Sequence, residues 1–114
     1  MSNNLCVFGV DYHTASFDIR ERLSFMQEDI PPALHRLHNA GVVREIIILS
    51  TCNRMEVYCI TQDVEFVINS ICEIKDICPR TVIKKCSYIY AGIDCVKHLF
   101  RVISGLESMK LGET

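Results

Sequence analysis

Cys52 is set apart from the other six cysteines of this sequence. It lies in the polar pentapeptide Ser50-Thr51-Cys52-Asn53-Arg54, between two apolar runs. A thiolate is the reactive form of cysteine, and a nearby guanidinium or exposed backbone N–H groups lower the thiol pKa and supply it near neutral pH. Thr51 and Asn53 offer hydroxyl and amide groups suited to a carboxylate or a developing oxyanion. Arg54 has the fork geometry that grips a carboxylate with two N–H groups. The same five residues also fit an ordinary polar turn carrying an incidental cysteine.

His98 is the second position with chemical potential. Counted at 100° per residue, Ile93, Val96, Phe100 and Ile103 gather on one side of a helix, and His98 falls opposite, with Asp94 at i−4 and Arg101 at i+3. That reading keeps His98 out of the sheet-facing core, on a charged face where Asp94 would set its tautomer for acid or base work. His35 and His38 lie i, i+3 on another helix, with no converging carboxylate or thiol pair, and read as a solvated face. His13 follows Tyr12 in a loop, without a defined role. No metal site is expected.

The elements that would hold these residues follow from periodicity. Leu5 to Val10 is a β-type run, and residues 17–26 form a short helix or irregular segment. From Ile30, apolar residues recur at Ala33, Leu34 and Leu37, a helical stripe whose first turn tolerates Pro31-Pro32 and which Gly41 ends. Ile46 to Leu49 reads as a strand covered on both faces, and Met55 to Ile60 as a second, with Val57 and Cys59 alternating against Glu56 and Tyr58. Asp63 caps a helix bearing Val64, Val67, Ile68, Ile71 and Cys72. Pro79 stops that helix, Cys86 to Tyr90 is a fourth strand, and Gly92 opens the last helix. The order β-α-β-β-α-β-α predicts an α+β, ferredoxin-like sandwich with a four-stranded, mainly antiparallel sheet.

Composition narrows the function class. At 114 residues the chain is one domain, 49% hydrophobic and 23% charged, the balance of a folded core. A net charge of −2 makes no general electrostatic claim on nucleic acid or an anionic membrane. The run Ile46 to Leu49 is far short of the ~20 residues of a spanning helix, and the start Met1-Ser2-Asn3-Asn4 has no basic n-region. An odd count of seven cysteines with no C-x-x-C spacing points to free thiols in a reducing, cytoplasmic setting. No P-loop or G-x-G-x-x-G fingerprint occurs.

Taken in order, Gly9-Val10-Asp11-Tyr12-His13-Thr14-Ala15, Arg20-Glu21-Arg22-Leu23-Ser24-Phe25, Ser50-Thr51-Cys52-Asn53-Arg54, Glu56-Val57-Tyr58, His98-Leu99-Phe100-Arg101-Val102 and Ser104-Gly105-Leu106-Glu107-Ser108-Met109, leading to Leu111-Gly112-Glu113-Thr114, resemble the N-terminal catalytic domain of glutamyl-tRNA reductase. The resemblance covers nearly the whole chain, and about the first quarter of the family's usual polypeptide. It implies a reductase that converts glutamyl-tRNA to glutamate-1-semialdehyde with NADPH, opening tetrapyrrole (porphyrin and haem) biosynthesis. Cys52 would attack the aminoacyl ester to form a glutamyl thioester, and His98 would act as an acid/base group near that ester. Thr51, Asn53 and Arg54 match the substrate-holding loop, Ser108 matches a residue contacting the glutamyl part, and Glu113 and Thr114 begin a further substrate-contacting stretch. Asp11-Tyr12 replaces the Asn-His pair of many members and is given no catalytic role.

By the same resemblance, residues 1–114 are the thioester-forming domain, while the NADPH-binding and dimerisation domains lie outside this chain. The full-length protein is then a homodimer that hands its product to an aminomutase, with no membrane association. The chain by itself is expected to lack hydride transfer and the dimer. From the residues alone two other classes stay open: a non-catalytic module binding a charged tRNA end or an acidic metabolite through Arg54 and Ser108, and a free-standing hydrolase built on Cys52 and His98.

Overall fold

In a computed structural model of the chain, residues 4–77 and 80–105 are described, with only the backbone of 80–82. Four strands, β1 (Asn4–Asp11), β2 (Val43–Ser50), β3 (Arg54–Thr61) and β4 (Tyr88–Ala91), form one sheet in the order β2-β3-β1-β4. Every neighbouring pair is antiparallel. β3 therefore sits between β1 and β2, the split arrangement of the expected ferredoxin-like α+β sandwich.

The helices are α1 (Phe17–Leu23), α2 (Ile30–Asn39, after a 3-10 turn at Gln27–Asp29), α3 (Val64–Ile74), α4 (Arg80–Cys86) and α5 (Ile93–Ile103). α2 begins with prolines at its first positions, where their missing N–H groups cost nothing, and Gly41 follows its end at φ 77°. Asp63 caps α3, its Oδ1 accepting from the Phe66 N–H at 3.1 Å. Val67, Ile68, Ile71 and Cys72 of α3 and Ala33 and Leu37 of α2 are buried against Cys6, Phe8 and Val10 of β1 and Met55, Val57 and Cys59 of β3. This is the main core, on one face of the sheet.

The fold departs from the sequence reading in three ways. Residues 80–86 form a helix, so the fourth strand begins at Tyr88 and not at Cys86. β2 is an edge strand and is not covered on both faces: Ile47 is 66% exposed, because α5 lies over β1 and β4. α5 also presents a different side. Cys95, His98, Leu99 and Val102, spaced i, i+3, i+4, i+7, turn inward, while Ile93, Phe100 and Ile103 are 66–71% exposed. The helix carries apolar residues on two overlapping sides, so hydropathy alone did not choose between them. The polar groups that the sheet raises beneath it did.

Candidate active site

The β2–β3 hairpin turns at Thr51, Cys52 and Asn53, directly beyond the last register pair Ser50–Met55. Its backbone closes through Thr51 N–H to Arg54 O at 2.8 Å. The Thr51 hydroxyl oxygen also accepts from the N–H groups of Asn53 (3.2 Å) and Arg54 (3.3 Å), a local side-chain turn that fixes the tip. Cys52 at the tip is exposed, and its Sγ lies 3.8 Å from Asn53 Oδ1. The segment from α1 to Phe25 braces the hairpin: Arg20 Nη1 donates to the Cys52 carbonyl at 3.2 Å, and Phe25 N–H donates to Ser50 Oγ at 2.8 Å.

Two residues along, the chain enters β3 and the chemistry becomes buried. Arg54, Glu56 and Tyr58 alternate onto the α5 side of the sheet. Glu56 is fully buried, and its carboxylate gathers four donors. Oε2 lies 2.5 Å from His98 Nε2 and accepts from Tyr88 O–H at 2.5 Å and Arg54 Nη1 at 3.5 Å, while Oε1 accepts from Tyr58 O–H at 2.8 Å. A carboxylate with this many donors satisfies the requirement that a buried charge be paired and hydrogen-bonded. Burial first, and then the Glu56 carboxylate, pushes both phenols well above their ordinary value, so both stay protonated as donors.

A glycine makes this cluster possible. Gly9 is the register partner of Glu56 on one side and of Tyr88 on the other. A Cβ at Gly9 would stand 2.6 Å from Met55 O and 2.8 Å from Glu56 Cγ. With no side chain there, Tyr88 reaches over the central strand to a carboxylate two strands away.

Asp11, at the end of β1, extends the cluster. Its Oδ1 accepts from the N–H groups of His13 (2.9 Å) and Thr14 (3.2 Å), and its Oδ2 lies 3.9 Å from Arg54 Nη1. Beside it opens a polar pocket of about 380 Å³, lined by Asp11, His13, Thr14, Tyr88, Tyr90, His98 and Arg101. His98 therefore faces a space that a ligand can enter. Tyr88 and Tyr90 tilt against its ring at centroid distances of 5.1 and 5.0 Å.

His98 corrects the sequence reading. It is 3% exposed and its carboxylate partner is Glu56 of β3, not Asp94 of its own helix. Arg54 is also buried, at 5%, and meets the internal carboxylates of Glu56 and Asp11. The fold thus joins Arg54 and His98 through one oxygen, whereas Cys52 Sγ and the His98 ring share no hydrogen bond. His35 and His38 are exposed, as expected. Ser108, Glu113 and Thr114 lie outside the described residues. Cys6, Cys59, Cys72 and Cys95 are buried and Cys86 is half-buried, so among the described cysteines Cys52 is the one fully exposed. Burial pushes the Cys95 thiol up to about 11 and raises Cys86, and Cys59 is held high by its hydrogen bond to Cys6 and then by burial.

Sequence reasoning missed Glu56, Asp11, Tyr58 and Tyr88. A signal for Glu56 existed: a carboxylate inside a strand of β-formers, with Arg54 and Tyr58 on its own face and a glycine opposite.

With this geometry established, comparison with known proteins is informative. The sequence family described as "Glutamyl-tRNAGlu reductase, N-terminal domain" matches residues 8–114. The chain belongs to this family. It is 40% identical over 114 residues to the glutamyl-tRNA reductase of Paenibacillus macerans, covering 97% of this chain and 26% of that protein. To the glutamyl-tRNA reductase of Nitrosococcus oceani it is 42% identical over 111 residues, covering 96% and 26%. The structure of glutamyl-tRNA reductase from Methanopyrus kandleri superposes with a TM-score of 0.71 at 27% identity, over 96% of this chain and 24% of that one. The chain thus spans about a quarter of the length of its relatives, and this family member has the fold of their N-terminal domain.

Proposed function

We propose that this domain carries the acyl-transfer half of an NADPH-dependent glutamyl-tRNA reductase: Cys52 takes the glutamyl group from tRNA as a thioester, on the route to glutamate-1-semialdehyde and tetrapyrroles. The observation that carries the reading is the exposed Cys52 thiol on a braced hairpin tip, two residues from an arginine that shares a carboxylate oxygen with His98. In the step, Cys52 Sγ bonds to the ester carbonyl carbon, and the C–O bond to the terminal ribose breaks. The ribose hydroxyl would leave with a proton from His98, which lines the pocket beside Tyr88 and Tyr90, and the proton given up by the Cys52 thiol would restore the histidine. A thioester carbonyl is less resonance-stabilised than that of an oxygen ester and accepts hydride more readily, which gives a sulfur nucleophile its purpose in a reductase. Thr51, Asn53 and Arg54 would hold the substrate around the nucleophile, with Ser108, Glu113 and Thr114 adding contacts to the glutamyl part.

The described residues do not fit a nicotinamide dinucleotide. Pyrophosphate sites use a glycine-rich turn and an open helix N-terminus, whereas α1, α3 and α5 carry Asp18, Glu65 and Asp94 in their first turns, and Asp63 already caps α3. The step assigned to this chain therefore ends at the thioester, and NADPH is assigned to the part of the full-length enzyme outside it. A cytoplasmic homodimer that passes its aldehyde to an aminomutase completes the reading. Among the described residues no helix is long and apolar enough to cross a membrane.

Mixing the chain with glutamyl-tRNA and analysing it by mass spectrometry tests the proposal. A glutamyl adduct on Cys52, absent in Cys52→Ser, is expected. Binding of charged tRNA that Cys52→Ser leaves intact, with no adduct, would replace acyl transfer by a recognition module. Release of free glutamate with no reductase activity in the full-length enzyme would indicate a hydrolase.

A further inference from the structure

Glu56 belongs to neither the hairpin tip nor the pocket lining, yet it is the one residue to which both Arg54 and His98 are hydrogen-bonded among the described contacts, and it also holds the pocket's Tyr88. We propose that Glu56 is the positioning residue of this site: it fixes His98 in the tautomer protonated at Nε2, and so makes Nδ1 the atom that exchanges a proton with substrate. The inference rests on the acyl-transfer reading and deepens it.

Donors and acceptors decide the tautomer. An ionised carboxylate has only lone pairs to offer, so a ring nitrogen at 2.5 Å from Oε2 meets it as N–H. In a neutral imidazole the other nitrogen then carries the lone pair, and in the imidazolium it carries the second proton. Competing arrangements are closed off. Tyr88 and Arg54 occupy the remaining approaches to Oε2, and Tyr58 holds Oε1, so the carboxylate cannot rotate away without giving up its contacts to all three. His98 stands on α5 with the rings of Tyr88 and Tyr90 tilted against its own, and those contacts limit its rotation. Arg54 is tied to the same oxygen, so the strand that continues from the nucleophile's hairpin and the helix that carries the histidine are held in register by one atom. A carboxylate that orients a histidine from behind is the general logic of oriented acid–base pairs.

The test uses the whole chain with nitrogen-15-labelled histidine, the His98 signals being assigned by their loss in His98→Asn. The neutral ring is expected to show protonated Nε2 and unprotonated Nδ1. The reverse pattern would overturn the proposal. Because the tautomer is read on the unaltered chain, it needs no folded Glu56 variant, and it stays decisive if Cys52 proves not to be acylated. That second result would remove the acyl-transfer reading alone. Single-turnover transfer from glutamyl-tRNA to Cys52 then gives the functional arm. Glu56→Gln keeps the shape and removes the charge, and is expected to slow transfer by ~10²-fold. In the His98→Asn background the same change should cost no more than about threefold, because residues that act as a unit are not additive. Equal losses in both backgrounds would mean that Glu56 merely supports the fold.

Discussion

Asp11 and Arg54 are the terminal register pair of the β1–β3 ladder, and their side chains, each 5% exposed, meet at 3.9 Å where the sheet opens toward the Cys52 hairpin. One guanidinium thus lies between two buried carboxylates, Asp11 and Glu56. Removing it takes the shared cation from both, although each keeps its hydrogen-bond donors. Arg54→Leu is expected to lower unfolding free energy by about 3–5 kcal/mol, the cost of breaking a buried ion pair from one side. Asp11→Asn should cost less, since an amide oxygen still accepts from His13 and Thr14. Urea titration of the two variants checks the order, and an Arg54→Leu midpoint at or above that of Asp11→Asn contradicts it.

Gly9 is expected to tolerate no side chain. The added methyl of Gly9→Ala meets the Met55 carbonyl, a backbone atom that cannot swing aside, as well as Glu56 Cγ. Overpacking of this kind costs about 1–3 kcal/mol. Calorimetry should show the loss, and acyl transfer should fall with it because Glu56 is displaced. Wild-type stability in Gly9→Ala would show that the strands separate freely there.

The outward side of α5 gives the opposite expectation. Phe100 is 66% exposed, so Phe100→Ser should move stability by no more than about 0.5 kcal/mol. Leu99→Ala and Cys95→Ser, on the inward side, should cost more. Had the helix faced the sheet with Ile93 and Phe100, the ranking would be reversed, and denaturation of these three variants separates the two orientations.

Alkaline titration reads the phenols on Glu56. Tyr58 and Tyr88 are pushed above the ordinary value of 10.0 by burial and then by Glu56. Their folded-state values are raised, so their contribution to stability is fully present below pH 10 and is lost as pH climbs beyond it, where the unfolded chain ionises first. Absorbance at the phenolate band should therefore show these two tyrosines ionising only with unfolding, as identified by Tyr58→Phe and Tyr88→Phe. Ionisation of both in the folded chain near pH 10 would contradict the buried contact.

Thiol alkylation at neutral pH should strike Cys52 first. It is exposed, whereas Cys95 is both buried and held near 11, and Cys59 is held higher than an ordinary thiol. Peptide mapping after brief treatment checks this, and labelling of Cys95 or Cys59 ahead of Cys52 would refute it.

Local chemistry in the sequence was sufficient to place most elements. Proline at the start of α2, glycine after its end, aspartate before α3 and the stripe from Val64 to Cys72 act over single turns and need no distant partner. Cys52 was legible for the same reason, being a thiol in a polar turn. The neighbours of Glu56 and His98 were not legible, because they arrive from β1, β4 and α5. Alternation along β3 puts Glu56 and Tyr58 on the face opposite Val57 and Cys59, and it is α5, docked over β1 and β4, that lies on that face. Once that carboxylate is buried it must find donors, and this requirement, acting across 42 positions of chain, turns His98 inward and leaves Phe100 in the solvent.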